Sequence, residues 1–229
     1  RAFIGDADPA GFILFRRNCE CRDQLIRLTS ALREPSGRPE VPILIVQEGG
    51  RVARMRPPEW PIFPPGEAFD RLYQLAPSSP IEAARSNARA LGLMLSGVGV
   101  NVDCLPMLDV RQPGAADIVG DRGLGSEPMQ VAALGRAILD GLHSAGVLGV
   151  IKHIPGHGRA LVDSHHELPV VDAGEEDLTI DLEPFERLRG AAMGMTSHLL
   201  YTQWDPDRPA SQSPTVIHDI IRQRIGFDG

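Results

Sequence analysis

Val147-Leu148-Gly149-Val150-Ile151 runs without a break into Lys152-His153-Ile154-Pro155-Gly156-His157-Gly158, and Asp163-Ser164-His165-His166 follows shortly after. The first half is a short apolar run of the kind that forms a strand buried on both faces. The second half is a loop crowded with ionisable groups, holding four of the seven histidines, a lysine and an aspartate. In α/β barrels and open α/β sheets, chemistry sits where strands end and loops begin. The stretch therefore predicts both a parallel α/β architecture and the place of a site within it.

The same pattern repeats on either side. Apolar runs at 11–15, 41–46, 100–105 and 193–200 read as further buried strands. Helical patterns lie between them. Leu25, Ile26, Leu28 and Leu32 share a face over 22–33, and Val131, Leu134, Ile138 and Leu142 do so over 129–145, after Ser126. Ser79-Pro80 reads as a cap with proline at the first helical position of 81–95, and Ser213-Pro214 opens 215–225 in the same way. A last helix is expected over 178–192. Alternation of strand and helix predicts a TIM-like (β/α)8 barrel or a parallel sheet. The long segments 49–77, 109–125 and 155–174 all follow strands and are rich in glycine, proline and charge, as expected of functional loops on one rim. A closed barrel takes about 250 residues. The expectation is a single barrel catalytic domain over 1–229, an incomplete fragment truncated at both ends and lacking the last strands.

Composition narrows the function. A net charge of −7 and the absence of any basic run argue against a nucleic-acid partner. No apolar stretch approaches the roughly 20 residues that span a bilayer. Cys19, Cys21 and Cys104 have neither metal-type spacing nor an even count, which fits a reducing, cytoplasmic setting.

Three loops carry candidate chemistry. Asp163 and His165 are one residue apart, and a carboxylate beside an imidazole orients it and makes it a proton donor and acceptor near neutral pH. Lys152 and His153 suit the oxygens of a polar substrate. Successive strand positions face opposite ways in regular geometry, so a bend at the strand end is needed to aim both at one ligand. His153, His157, Asp163, His165 and His166 are also possible zinc ligands, although their spacing matches no familiar ligand set. Gln47-Glu48-Gly49-Gly50-Arg51-Val52-Ala53-Arg54 ends another strand. Its Gly-Gly pair permits a turn with positive φ, and Arg51 and Arg54 are potential fork donors, while Glu48 can equally pair with an arginine as scaffolding. Gly120-Asp121-Arg122-Gly123 is weaker alone, since Asp121 and Arg122 read most simply as a structural ion pair.

Together these segments resemble glycoside hydrolase family 3, in its bacterial β-N-acetylhexosaminidase branch. The resemblance rests on Gly11–Phe15 (Gly-Phe-Ile-Leu-Phe) with Arg17-Asn18, Gln47 to Val52 with Arg54, Pro106-Met107-Leu108-Asp109, Gly120-Asp121-Arg122, Lys152 to Gly158 with Asp163-Ser164-His165, and Ser197-His198. It covers nearly the whole chain. It implies a TIM-like barrel and retaining hydrolysis of terminal β-linked N-acetylglucosamine, without metal or cofactor. It further implies that His165 is the acid/base and Asp163 its orienting partner, replacing the usual carboxylic acid. Arg54, Arg122, Lys152 and His153 match substrate-contacting positions. The implied role is cytoplasmic peptidoglycan recycling, acting on N-acetylglucosamine-containing muropeptides.

Two departures stand out. The family's nucleophilic aspartate belongs to a Ser-Asp segment on the next strand, beyond Gly229, so chain 1–229 alone is expected to be inactive. The branch also carries an aspartate just before Gln-Glu-Gly-Gly, where this chain has Val46. Valine accepts no hydrogen bond, and loss of a charged acceptor weakens sugar binding by about 1.5–3 kcal/mol. A sugar-binding pseudoenzyme of the same fold is therefore the first alternative, and a metal-dependent hydrolase the second.

Overall fold

The computed structural model describes residues 2–114, 117–162 and 167–229. After a short helix α1 (Ala2–Ala7), the chain alternates β1 (Phe12–Leu14), α2 (Arg22–Ser36), β2 (Ile43–Ile45), α3 (Gly66–Tyr73), α4 (Ser78–Ser96), β3 (Val102–Asp103), α5 (Pro128–Ser144) and β4 (Leu148–Ile154). Then come β5 (Val170–Val171), α6 (Glu175–Arg187), β6 (Met193–Thr196), β7 (Leu200–Tyr201) and a C-terminal helix of π type, Val216–Arg224. Strands β1, β2, β3, β4 and β6 pair in that order, all parallel. Each crossover is made by a helix, which is how parallel strands must be joined. The sheet is an arc of a (β/α) barrel, as the alternating pattern predicts.

Its two faces are legible in the alternation of side chains. Ile43, Ile45 and Ile151 are fully buried in the large core beneath the helices. Leu44 and Val46 turn the other way and pack with Val102, Cys104, Val150, Met193 and Met195 in a separate, smaller cluster. That second cluster lines the inside of the arc, beneath the rim where the strands end.

The structure corrects several expected boundaries. The run 193–200 is not one strand. Ser197 N still bonds Ile154 O at 2.7 Å, but the chain then turns, and Leu200 N bonds Pro169 O at 3.0 Å to build a second, two-stranded sheet, β5–β7. Helix α4 starts at Ser78, so Ser79 is inside it and no side chain caps its start. Pro80 is tolerated there because first-turn amides have no intrahelical acceptor. Ser213 does cap: its Oγ accepts the Val216 amide at 3.1 Å. Helix α6 begins three residues earlier than its apolar pattern, with Glu175, Glu176 and Asp177 facing the positive end of the helix dipole. Helix α3, inside the segment read as a loop over 49–77, was not expected.

Gly158 shows how tightly the lysine–histidine loop is seated. A Cβ on it would stand 1.8 Å from the carbonyl oxygen of Val110, which is backbone and has no way to swing aside. Gly158→Ala is expected to destabilise the protein by about 1–3 kcal/mol through overpacking. Gly190→Ala, where a Cβ meets nothing within 4 Å, is expected to leave stability nearly unchanged. Denaturant unfolding of the two variants checks the contrast.

Candidate active site

A cavity of about 360 Å³ opens at the carboxyl ends of the strands. Val46, Arg54, Arg122, Lys152, His153 and Ser197 are among the side chains that line it. The four positions expected to contact substrate, Arg54, Arg122, Lys152 and His153, thus converge from two loops and the end of β4. Both Lys152 and His153 face it because β4 is irregular there. Its register against β6 shifts between Lys152 and Ile154.

Glu48 is the centre of this wall. It accepts a two-pronged bond from Arg122, Nε to Oε2 and Nη2 to Oε1, both at 2.8 Å. Lys152 Nζ donates to the same Oε1 at 2.5 Å. Burial alone drives a carboxyl group's pKa up. Here the Lys152 charge and the Arg122 bonds outweigh burial and hold Glu48 at about 2. The scaffolding role that the sequence allowed for Glu48 is the one observed, with lysine as well as arginine. Asp121 and Arg122 do not pair with each other: Asp121 takes Arg51 Nε at 2.6 Å, and Arg122 takes Glu48. Arg51 also donates to the Asp117 carbonyl, so it fastens the 117–122 loop rather than reaching for substrate. The turn that presents Arg51 depends on Gly49 and Gly50, whose φ of 101° and 54° a side chain would oppose.

Arg54 is the exception among the cations. No carboxylate of the described residues pairs with it, and its Nε is buried without a hydrogen-bond partner. Its backbone is nonetheless fixed, its amide donating to Gln47 Oε1 at 2.7 Å. A held backbone with an unfilled guanidinium facing a cavity has donors free for the oxygens of a ligand.

Two carboxylates escaped the sequence reading as site residues. Asp109 is fully buried and accepts His153 Nδ1 at 2.7 Å and the amides of His153 and His157 at 3.2 and 2.7 Å. Burial pushes its pKa up, and His153 with these bonds brings it down to about 2. The only sequence signal was its place at the end of Pro106-Met107-Leu108-Asp109. Asp103, also fully buried, accepts only backbone amides, that of Gln47 at 3.0 Å among them, and its Oδ2 has no partner. Burial dominates there and pushes its pKa up to about 8. Burial likewise lowers the pKa of His157 and favours its neutral ring.

Asp163 and His165, the expected proton-transfer pair, lie outside the described residues, as do Ser164 and His166. Among the described residues no group of three or more His, Cys, Asp and Glu is placed to hold a metal ion. The three cysteines are free. No helix is long and apolar enough to cross a membrane.

The opposed carboxyl shifts set a pH signature. Glu48 and Asp109 have depressed values, so their contribution is present above the ordinary carboxylate range and is lost as pH falls toward about 2. Asp103 has a raised value, so the fold is favoured below its ordinary 3.8 and penalised as pH rises through about 8. Asp103→Asn, which keeps the acceptor and removes the ionisation, should add roughly 1 kcal/mol or more at neutral pH and flatten the stability curve up to that range. Urea unfolding at a series of pH values checks it. An unchanged slope would contradict the assignment.

The comparisons agree with this geometry. Residues 1–229 match the glycosyl hydrolase family 3 N-terminal domain. The chain is 34% identical over 223 residues to a β-hexosaminidase of Stenotrophomonas maltophilia, covering 96% of the chain and 65% of the relative. It is 36% identical over 230 residues to one of Xylella fastidiosa, covering 99% and 67%. It thus spans about two thirds of the length of these relatives. Among solved structures it resembles NagZ from Neisseria gonorrhoeae in complex with N-trifluoroacetyl-D-glucosamine, with a TM-score of 0.90 and 34% identity over 96% of this chain and 65% of that one. A family 3 β-N-acetylglucosaminidase from a Paenibacillus species gives a TM-score of 0.89 and 33% identity, over 99% and 43%. The chain belongs to glycosyl hydrolase family 3, matching the N-terminal domain of that family over residues 1–229.

Proposed function

We propose that the protein is a retaining β-N-acetylhexosaminidase that removes terminal β-linked N-acetylglucosamine from saccharides or peptidoglycan-derived muropeptides, in cytoplasmic cell-wall recycling. The observation that best supports this reading is the convergence of Arg54, Arg122, Lys152 and His153 on one cavity at the strand ends. A similar protein, the Neisseria NagZ, is known in complex with an N-acylated glucosamine, which carries the substrate class to this site. In this reading the four side chains bind sugar oxygens, Arg54 through its unfilled guanidinium and His153 through the ring nitrogen that Asp109 leaves free. His165, oriented by Asp163, protonates the leaving oxygen and then activates water. An aspartate C-terminal to Gly229 attacks the anomeric carbon to form the glycosyl-enzyme. No cofactor takes part.

His165→Ala in the protein expressed from its complete gene tests the acid/base. Turnover of a poor leaving group should fall by roughly a hundredfold or more, while an activated aryl N-acetylglucosaminide, whose first step needs little protonation, should lose less in that step. Equal losses on both substrates would remove His165 from the role.

Val46 favours a second reading, a sugar-binding pseudoenzyme. It lines the cavity with a side chain that offers no hydrogen bond. Val46→Asp separates the two. If the sugar is held in the manner of the branch, the variant should gain roughly tenfold in kcat/KM on an N-acetylglucosaminide, about 1.4 kcal/mol of transition-state binding. A folded variant with unchanged or lower kcat/KM would mean that the cavity holds its ligand differently. A melting curve for each protein separates that result from the cost of burying an unpartnered carboxylate.

A further inference from the structure

The two oxygens of Asp109 divide their work. Oδ1 accepts the backbone amides of His153 and His157, at 3.2 and 2.7 Å. Oδ2 faces the imidazole Nδ1 of His153 at 2.7 Å. The carboxylate is completely buried between β4 and the 106–109 segment, which is itself bonded to β4 through Leu108 N to Lys152 O at 2.6 Å and Lys152 N to Pro106 O at 3.2 Å. The His153 side chain is about 20% exposed, and the ring lines the cavity. An ionised carboxylate has no proton to give, so the hydrogen between Oδ2 and Nδ1 belongs to the imidazole. The neutral ring is then held as the Nδ1–H tautomer, and its Nε2 lone pair is left for the cavity.

We infer that Asp109 is a positioning residue that fixes the tautomer of His153, making its Nε2 a hydrogen-bond acceptor for a substrate hydroxyl. This deepens the proposed function and rests on it for the identity of the hydroxyl. The tautomer itself stands on the geometry alone. The arrangement selects a ligand that donates: a free sugar hydroxyl fits, and an oxygen that has been alkylated or acylated does not, because it leaves Nε2 unpaired and buried.

Asp109→Asn tests the inference with little change of shape. The amide oxygen must stay on the two backbone N–H groups, since an NH2 there would set donor against donor. The NH2 then faces His153 Nδ1 and forces it to accept, which moves the ring proton to Nε2 and turns the acceptor into a donor. Imidazole 15N shifts of histidine-labelled protein at alkaline pH, with His153 identified by the signals lost in His153→Gln, should report Nδ1–H in the wild type and Nε2–H in the variant. An Nε2–H ring in the wild type, or an unmoved proton in a folded variant, would overturn the inference. In kinetics, Asp109→Asn should lower kcat/KM by at least roughly tenfold, largely through KM, because the hydroxyl is held before and during bond cleavage. Added to His153→Gln it should cost little more, since it acts through that ring. A further loss of the same size would make Asp109 merely structural and overturn its positioning role. If the wild type proves inactive on N-acetylglucosaminides, the proposed function fails while the 15N measurement still decides the tautomer.

Discussion

One buried carboxylate holds the rim of this barrel together. Glu48 stands at the end of β2 with only about 9% of its surface exposed and is bonded to Arg122 from one loop and Lys152 from β4. Pairs of this kind return little net stability, because desolvation consumes most of the Coulomb energy. Their effect lies in what breaking them costs. Without Glu48, two cations remain buried with no counter-charge, a penalty of about 3–5 kcal/mol. Three chain segments far apart in sequence are therefore locked in register by one side chain, and the cavity's cationic wall cannot drift.

The rest of the wall follows from that lock. Arg51 fastens the loop carrying Arg122 by bonding Asp121 and backbone carbonyls. Gln47 receives the amides of Arg54 and Met55 on its side-chain oxygen and donates to the Met55 carbonyl, so the backbone beneath Arg54 is fixed. Among the described residues, Glu48, Arg51, Arg122 and one nitrogen of His153 are committed to protein partners before a ligand arrives, while the Arg54 guanidinium and His153 Nε2 remain for it. Such a site binds by matching oxygens to donors already in place, and little of the binding energy is spent on ordering side chains.

Much of the fold was legible because apolar runs and helical spacing are local signals. The five parallel strands and the helices between them fall where those patterns put them. The misses have a common cause: they depend on contacts between distant segments. The 193–200 run is apolar throughout, and only the partner offered by Pro169 and Val170 splits it into two strands. Helix α3 hides in a segment dominated by prolines, and nothing in its eight residues announces a cap. The same holds for the site. Arg54, Arg122, Lys152 and His153 were found because whole motifs carry them. Asp109 was quoted within a motif but given no role, and Asp103 was passed over inside an apolar run, since an aspartate beside apolar residues looks alike in sequence whether it anchors a histidine or sits with an oxygen unpaired.

Those two residues, with Glu48, show that burial alone does not decide a carboxyl group's charge. All three are essentially out of water. Glu48 faces two cations, and Asp109 faces an imidazole and two amides, so donors outweigh desolvation and both are ionised. Asp103 receives backbone amides only and keeps one oxygen unpartnered, so desolvation wins and the group holds its proton at neutral pH. The balance suits their positions. Asp103 is close enough to Glu48 and Lys152 to feel both charges, and a second anion there would compete with Glu48 for Lys152. A neutral Asp103 leaves Lys152 to one partner and to whatever oxygen enters the cavity. Sequence supplies the carboxyl groups, but the number of donors that the fold delivers to each one decides which of them carry charge.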